Sequence, residues 1–123
     1  MIGYVTIGTN DLEKATKFYD AVLTPLGGKR TFANGERMQF YGGAGTPGMI
    51  AISKPYDEQP ATAGNGTMFG FPAQSKEQVD EVHAAALAAG GTCDGAPGQR
   101  LPTFYGAYFR DLDGNKICVF KMG

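Results

Sequence analysis

The chain has 123 residues, 42% of them hydrophobic and 19% charged. That is the size and make-up of one globular domain able to bury its own core, not of a disordered or fibrous chain. Eleven basic residues face twelve acidic ones, for a net charge of −1. Lysine and arginine never run beyond the pair Lys29-Arg30, so no basic stripe for nucleic acid is expected. No apolar run approaches the ~20 residues that cross a bilayer, so no membrane role is expected either. A single histidine excludes any centre that needs two imidazoles from one chain.

The predicted elements run in a clear order. Ile2 to Thr9 alternates and is β-branched, which predicts a strand. Asn10 or Asp11 then caps a helix whose apolar positions are Leu12, Ala15, Phe18, Tyr19, Val22 and Leu23, ending at Gly27-Gly28. Short strands are expected at Lys29 to Ala33, Glu36 to Tyr41 and Met49 to Ser53. Asn34-Gly35 supplies a hairpin turn between the first two. Lys54 to Gly66 holds prolines, glycines and acids and reads as a connecting loop. A strand follows at Thr67 to Ala73, then a capping box of Ser75 with Gln78. The second helix carries Val79, Val82, His83, Ala86 and Leu87 and ends at Gly90-Gly91. Thr92 and Cys93 precede a glycine- and proline-rich loop. A strand at Phe104 to Arg110, a turn at Asp111 to Asn115 and a strand at Lys116 to Lys121 close the chain.

The two halves align on each other. A shift of 64 residues sets Asp11 on Ser75, Glu13 on Glu77, Phe18 on Val82, Tyr19 on His83 and Leu23 on Leu87. A shift one shorter sets Gly27-Gly28 on Gly90-Gly91. The pattern predicts an α+β fold of two β-α-β-β-β modules, about 1–55 and 66–123, within a single domain spanning 1–123. Two such curved sheets leave a concave, strand-lined cleft, the expected place for a small-molecule ligand.

The opening GYVTIGTNDLEKATKFYDAVL and the closing YGAYFRDLDGNKICVF resemble the corresponding stretches of the vicinal oxygen chelate superfamily, which contains glyoxalase I, bleomycin resistance proteins and extradiol dioxygenases. The resemblance covers essentially the whole chain and implies that superfamily's fold. It also implies a divalent-metal site on four inward-pointing strand residues, a His, a Glu or His, a His and a Glu. Carried over one at a time, these fall on Tyr4, near Ala51, on Met68 and on Cys118. Phenol, methyl, thioether and thiol replace imidazole and carboxylate, so no metal and no other cofactor is expected. The resemblance further implies a symmetric homodimer, formed by swapping modules or by packing edge strands.

Three further candidates join Tyr4, Met68 and Cys118 as ligand-binding residues. Arg37 and Gln39 share one face of the third strand with Tyr41 by period-two alternation, and Tyr108 or its neighbour Phe109 is expected to face the cleft with Cys118. The three metal-position residues are expected to converge at the base of the cleft. His83 could act as a base near neutral pH, but its place in the helix stripe suits packing between the modules. Asp111, Asp113 and Asn115 imitate a calcium loop but miss its spacing, and a turn is the better reading. The expected function is metal-independent binding of a small apolar or aromatic molecule. The alternative is a glyoxalase- or lyase-like enzyme, or one of dioxygenase type, with an atypical or recruited metal. The N-terminus shows no secretory signal, and the two cysteines form no metal-type pair, so a cytoplasmic location is expected.

Overall fold

The computed structural model describes residues 1–43 and 45–123. Its elements are β1 (Tyr4–Gly8), α1 (Leu12–Leu23), β2 (Gly28–Asn34), β3 (Met38–Gly43), β4 (Met49–Ser53), β5 (Met68–Pro72), α2 (Lys76–Ala88), β6 (Thr92–Leu101), β7 (Phe104–Arg110) and β8 (Lys116–Met122). They build two four-stranded sheets of one topology, β1-β4-β3-β2 and β5-β8-β7-β6. In each, the first strand runs parallel to the fourth and the remaining pairs are antiparallel. The duplication read from the sequence is thus repeated strand for strand.

Both helices begin as their caps dictate. Asp11 Oδ1 accepts from Lys14 N and Ser75 Oγ from Gln78 N, each at 3.1 Å. These contacts satisfy one of the donors that a helix start leaves open. The capping box at α2 is displaced by one residue: Gln78 Oε1 accepts from Gln74 N rather than from Ser75, and Gln78 Nε2 donates to Pro25 O at 2.7 Å. That side chain therefore ties the second helix to the 3-10 turn after the first. Leu87 falls outside the core, 39% exposed, so the second helix buries a narrower stripe than the first.

The helices stop at paired glycines. Gly27 and Gly90 take φ of +80° and +102°, the left-handed turn that ends a helix without a Cβ penalty. Each chain then turns straight into a strand. At Gly91 a Cβ would meet Ala86 O and Arg110 O at 2.9 Å, so only a bare backbone passes there.

Each helix packs on its own sheet, α1 on β2, β3 and β4 and α2 on β6, β7 and β8, and the helices pack on each other. One core cluster joins Ile7, Phe18, Tyr19, Tyr41 and Ile52 of the first module to Val79, Val82, Phe109, Ile117 and Val119 of the second. The turn after β7 pins the modules together. Asp111, buried, accepts from Tyr19 Oη at 2.6 Å, from the backbone N–H groups of Asp113 and Asn115, and from Asn115 Nδ2, the last three at 2.9 Å. Asn115 Nδ2 also donates to Gly8 O in β1, and Asn10 N donates to Asp113 Oδ1. The Asp-x-Asp-x-Asn run is thus a structural clasp, with both Asp111 oxygens and Asp113 Oδ1 already engaged.

One expectation changes. β6 runs over ten residues, with three shifts of register against β7, where the sequence suggested a loop after Cys93. The stretch after Lys54 is the expected loop, and it is tied down. Asn10 Nδ2 donates to Ala61 O, Asn10 Oδ1 accepts from Ala61 N at 2.7 Å, and Lys54 N donates to Arg37 O at 2.9 Å. These bonds hold residues 54–61 as a strap against the ends of β1 and β3. Among the described residues no helix is long and apolar enough to cross a membrane.

Candidate functional site

Strand alternation gives each sheet one face on its helix and one open face. Tyr41 fixes the parity of the first sheet. Its hydroxyl donates to Asp20 Oδ1 on α1 at 2.8 Å, so Tyr41 and its cross-strand partner Ile50 face the helix. The open face then carries Tyr4 and Thr6 from β1, Ala51 from β4 and Phe40 from β3, with Thr6, Ala51 and Phe40 in one cross-strand row. Tyr4 and Phe40 meet edge to face at 5.2 Å, and Phe32 and Phe40 at 5.7 Å, giving an aromatic floor.

In the second sheet Ala107, Phe109, Ile117 and Val119 enter the core. Met68, Lys116, Cys118 and Tyr108 therefore share the open face, with Cys118 opposite both Gly70 and Tyr108. This face also carries rings, Phe104 stacked on Phe120 at 5.3 Å, and adds cations. The guanidinium of Arg100 lies 5.5 Å and the ammonium of Lys116 5.3 Å from the Tyr108 ring centre. Asp94 balances Lys116 at 3.3 Å and Arg110 at 3.0 Å. It is held below the ordinary carboxylate range, first by its hydrogen bond with Lys116. Arg100 enters no ion pair among the described residues.

The register also settles how the modules correspond. Ala51 stands opposite Thr6, the third residue of β1, and Cys118 opposite Gly70, the third residue of β5. Tyr4 and Met68 open their strands in the same way, 56% and 48% exposed, while Ala51 and Cys118 are buried. Burial raises the Cys118 thiol, with Tyr108, Arg100 and Lys116 drawing it part of the way back. It stays a thiol at neutral pH, not a ready nucleophile. Burial also raises the Tyr108 phenol.

The six sequence candidates thus divide. Met68, Cys118 and Tyr108 lie together on the second open face, and Tyr4 lies on the first. Each open face is the side of its sheet turned away from its own helix, and the two helices pack on each other within one core, so one chain presents two half-cups. Gln39 sits on the helix side of β3 opposite Ile52, and its amide donates to Phe32 O and Phe40 O. It lines neither open face, because Tyr41 two residues on is drawn to α1 and alternation carries Gln39 with it. Arg37 precedes β3, outside the strand, and its guanidinium lies 5.2 Å from the ring centre of Tyr56 in the strap. The sequence reading passed over Phe40, Phe32, Lys116 and Arg100. Alternation anchored on Tyr41 would have found Phe40.

Clefts open where the strap crosses the first sheet. One of about 690 Å³ is lined by Arg37, Lys54 and Tyr56 with Asn10 and Glu58. Its neighbour, about 440 Å³, has Thr6, Met38 and Ser53 of the open face as its floor and shares Arg37 and Tyr56.

This arrangement of paired β-α-β-β-β modules, with half-cups on the sheets' open faces, defines a class of proteins by its fold. The chain belongs to the glyoxalase/bleomycin resistance protein/dioxygenase superfamily, whose family model matches residues 1–119. The crystal structure of a glyoxalase/bleomycin resistance protein from Albidiferax ferrireducens T118 is 48% identical, with 100% of this chain and 99% of that one covered and a TM-score of 0.92. Two more distant structures share the fold. A family enzyme from Burkholderia phytofirmans PsJN is 22% identical over 98% of each chain with a TM-score of 0.80. A lactoylglutathione lyase from Agrobacterium tumefaciens is 24% identical over 98% of this chain and 92% of that one with a TM-score of 0.70. No curated protein matches the sequence.

The resemblance read from the termini is thereby shown, and the metal set it implies can be tested against the residues present. Tyr4, Ala51, Met68 and Cys118 offer a phenol, a methyl, a thioether and a buried thiol. Among the described residues no group of three or more His, Cys, Asp or Glu side chains is placed to hold a metal ion. This donor set does not fit a hard or borderline divalent ion.

Proposed function

We propose that the protein binds a small, flat, partly apolar molecule without a metal, in a cup shared between two copies of the chain. The aromatic floor of one copy's first sheet would face Tyr108, Met68 and Cys118 of the other copy's second sheet. The observation that carries this reading is that each half-cup is built but open, each turned away from its own helix. β1 and β5 end their sheets with unpaired edges, which suits strand-edge packing between copies. The aromatic rings and thioether favour binding by stacking and shape. The free state of Cys93 and Cys118 agrees with a reducing, cytoplasmic setting. The scaffold's enzymatic relatives keep a lyase-like reading as the second possibility, and it needs donors that this site lacks.

Mixing two defective variants tests the shared cup. Phe40→Ala spoils the first half-cup and Tyr108→Ala the second, so each alone should lose uptake of a fluorescent aromatic probe such as 1-anilinonaphthalene. Unfolded and remixed, the pair should regain about half of the wild-type signal in mixed dimers, since one cup of the two is then intact. No recovery, together with a monomer in sedimentation, overturns the shared site. Stoichiometric Ni(II) or Zn(II) on the unaltered protein overturns the metal-free reading. Conversely Tyr4→His, Ala51→Glu, Met68→His and Cys118→Glu combined should create such binding.

A further inference from the structure

The strap clefts contain a cation that the fold leaves unused. Arg37 makes no ion pair among the described residues, and its Nε is buried without a hydrogen-bond partner. An unsatisfied buried donor on a charged group is costly, and native structures rarely keep one without a reason. The other buttressed arginines are matched: Arg30 bonds Asp20 through two nitrogens, at 2.9 and 2.7 Å, and Arg110 bonds Asp94. Arg37 is instead steered by a ring, the Tyr56 side chain, and its backbone is fixed by the bond from Lys54 N to Arg37 O.

The wall that positions it is stiff. Pro55 and Pro60 flank a turn closed by Glu58 N donating to Pro55 O at 3.1 Å, with Asp57 Oδ1 accepting from Gln59 N. Glu58 holds φ of +62°, the one non-glycine residue in the left-handed region among the described residues. Such a conformation persists only where the surroundings enforce it, and it tends to mark binding sites. The clasp of Asn10 on Ala61 supplies that enforcement.

Arg37 borders both clefts, and the floor of the smaller one is the row Gly8, Ser53 and Met38. The next row along the strands is Thr6, Ala51 and Phe40. Rows on one face are two residues apart, about 7 Å. A molecule lying on Phe40 is therefore one row from the smaller cleft that Arg37 borders.

We infer that Arg37, backed by Lys54, anchors an oxyanion borne by the ligand of the first half-cup, and that this group is a singly charged carboxylate. The inference rests on the apolar-floor reading above and adds the ligand's charge to it. A guanidinium offers paired N–H donors that match the two oxygens of a carboxylate. Glu36 and Glu58, exposed at the larger cleft, limit how much negative charge it accepts. That favours a monoanion over a phosphate ester carrying two charges.

The experiment compares four probes on the full chain by calorimetry: 2-naphthoate, its neutral analogue 2-naphthamide, naphthyl phosphate and acetate. A parallel nitrogen-detected NMR titration follows the Arg37 Nε–H signal. Wild type should bind 2-naphthoate about tenfold or more tightly than 2-naphthamide, a difference of ~1.4 kcal/mol, and more tightly than naphthyl phosphate. Arg37→Met should remove that preference and leave amide binding in place, while Phe40→Ala should weaken both. Tyr56→Leu keeps the charge but frees it, and should reduce the preference without abolishing it. Should Arg37→Met fail to fold, Tyr56→Leu and the wild-type NMR signal still decide.

Equal binding of acid and amide, with Arg37 Nε–H unmoved, overturns the anion site and leaves the aromatic floor standing. Acetate and naphthoate binding alike, through Arg37 and regardless of Phe40, sustains the anion site and overturns the aromatic floor. A preference for naphthyl phosphate overturns the choice of carboxylate. No response to any probe overturns both.

Discussion

The two modules have the same topology, the same caps and the same glycine stops, yet their open faces differ in charge. The first carries a row of rings, Tyr4, Phe40 and Phe32. The second also carries rings, Phe104 stacked on Phe120 at 5.3 Å and Tyr108, but it sets Arg100 and Lys116 against that tyrosine, among strands thinned by Gly70, Gly95, Gly98 and Gly106. Those glycines make room: a Cβ at Gly98 would meet Arg100 Nη1 at 2.7 Å, and one at Gly106 would meet Phe104 Cε1 at 2.8 Å. What stayed alike is what folding requires, the helix stripe and the turn into the next strand. What diverged is the surface that the fold leaves free. A duplicated scaffold can therefore keep two equivalent aromatic half-cups and add cations over the Tyr108 ring of one of them.

The largest break in the comparison lies at the clasp that only the second module owns. The β3-to-β4 connection of the first module holds no acid between Gly43 and Met49, whereas Asp111 gathers Tyr19, Asn115 and two backbone donors. Asp111→Ala leaves those buried donors without an acceptor and should cost about 3–5 kcal/mol in urea denaturation. Tyr19→Phe, which removes one bond and leaves an acceptor with other partners, should cost only about 1 kcal/mol. Burial and the neighbouring Asp111 already raise the Tyr19 phenol well above its ordinary value, so the bond is between a neutral phenol and a carboxylate. An Asp111→Ala loss no larger than that of Tyr19→Phe would show that the clasp is decorative.

The glycine stops sharpen the same comparison at a smaller scale. At Gly28 a Cβ would meet the Leu23 Cβ at 2.8 Å, with Leu23 O at 3.2 Å. At Gly91 it would meet two backbone oxygens and the Phe18 ring, all within 3.0 Å. Backbone on both sides cannot yield, whereas the end of α1 can shift. Gly91→Ala should cost about 2–3 kcal/mol and Gly28→Ala about 1 kcal/mol, the usual range for overpacking, measured as paired denaturant midpoints. Equal losses would mean that the first module's stop is as rigid as the second's.

Much of this was legible in the residues. The caps at Asp11 and Ser75, the helix stripes and the paired glycines are local signals, and local signals located every helix and the 64-residue repeat. The terminal motifs pointed to the family. Strand β6 was hidden because Gly95, Pro97 and Gly98 look like a loop when read singly. The two glycines are tolerated in a strand because Arg100 and Tyr108 occupy the space above them, and Pro97 because β6 is an edge strand with shifts of register. The parity of β3 was hidden because Arg37, taken as a strand residue, belongs to the turn, and the bond from Tyr41 to Asp20 spans 21 residues. The strap was hidden for the same reason: its anchor, Asn10, lies 51 residues from Ala61. Long-range side-chain bonds set which face a residue shows, and no local pattern encodes them.

The smallest effect comes from the pair Tyr19 and His83, which occupy equivalent places in the two helices. Tyr19 finds Asp111, while His83 packs against Phe109 with its Nε2 buried and unpartnered among the described residues. Burial lowers the His83 pKa, and Asp80 and the Tyr108 backbone only partly restore it. The folded state thus takes up a proton less readily than the unfolded chain, whose histidine titrates near ~6.5. Below that pH the unfolded chain binds more protons than the folded one, so stability falls on acidification. The contribution is complete above about pH 6.5 and is lost as pH drops through the lower folded value. Asp20 also has a depressed pKa, chiefly through its bond with Arg30, but its loss belongs nearer the ordinary carboxylate range of about 4. The interval from pH 7 to 5.5 therefore isolates the histidine. His83→Phe, which replaces an unsatisfied ring by an apolar one of similar shape, should be neutral or stabilising by about 0.5–1 kcal/mol at pH 7. It should also flatten the pH dependence of the urea midpoint across that interval. If the variant keeps the wild-type slope between pH 7 and 5.5, the acid sensitivity originates elsewhere, and the two helices differ less than their hydrogen bonds suggest.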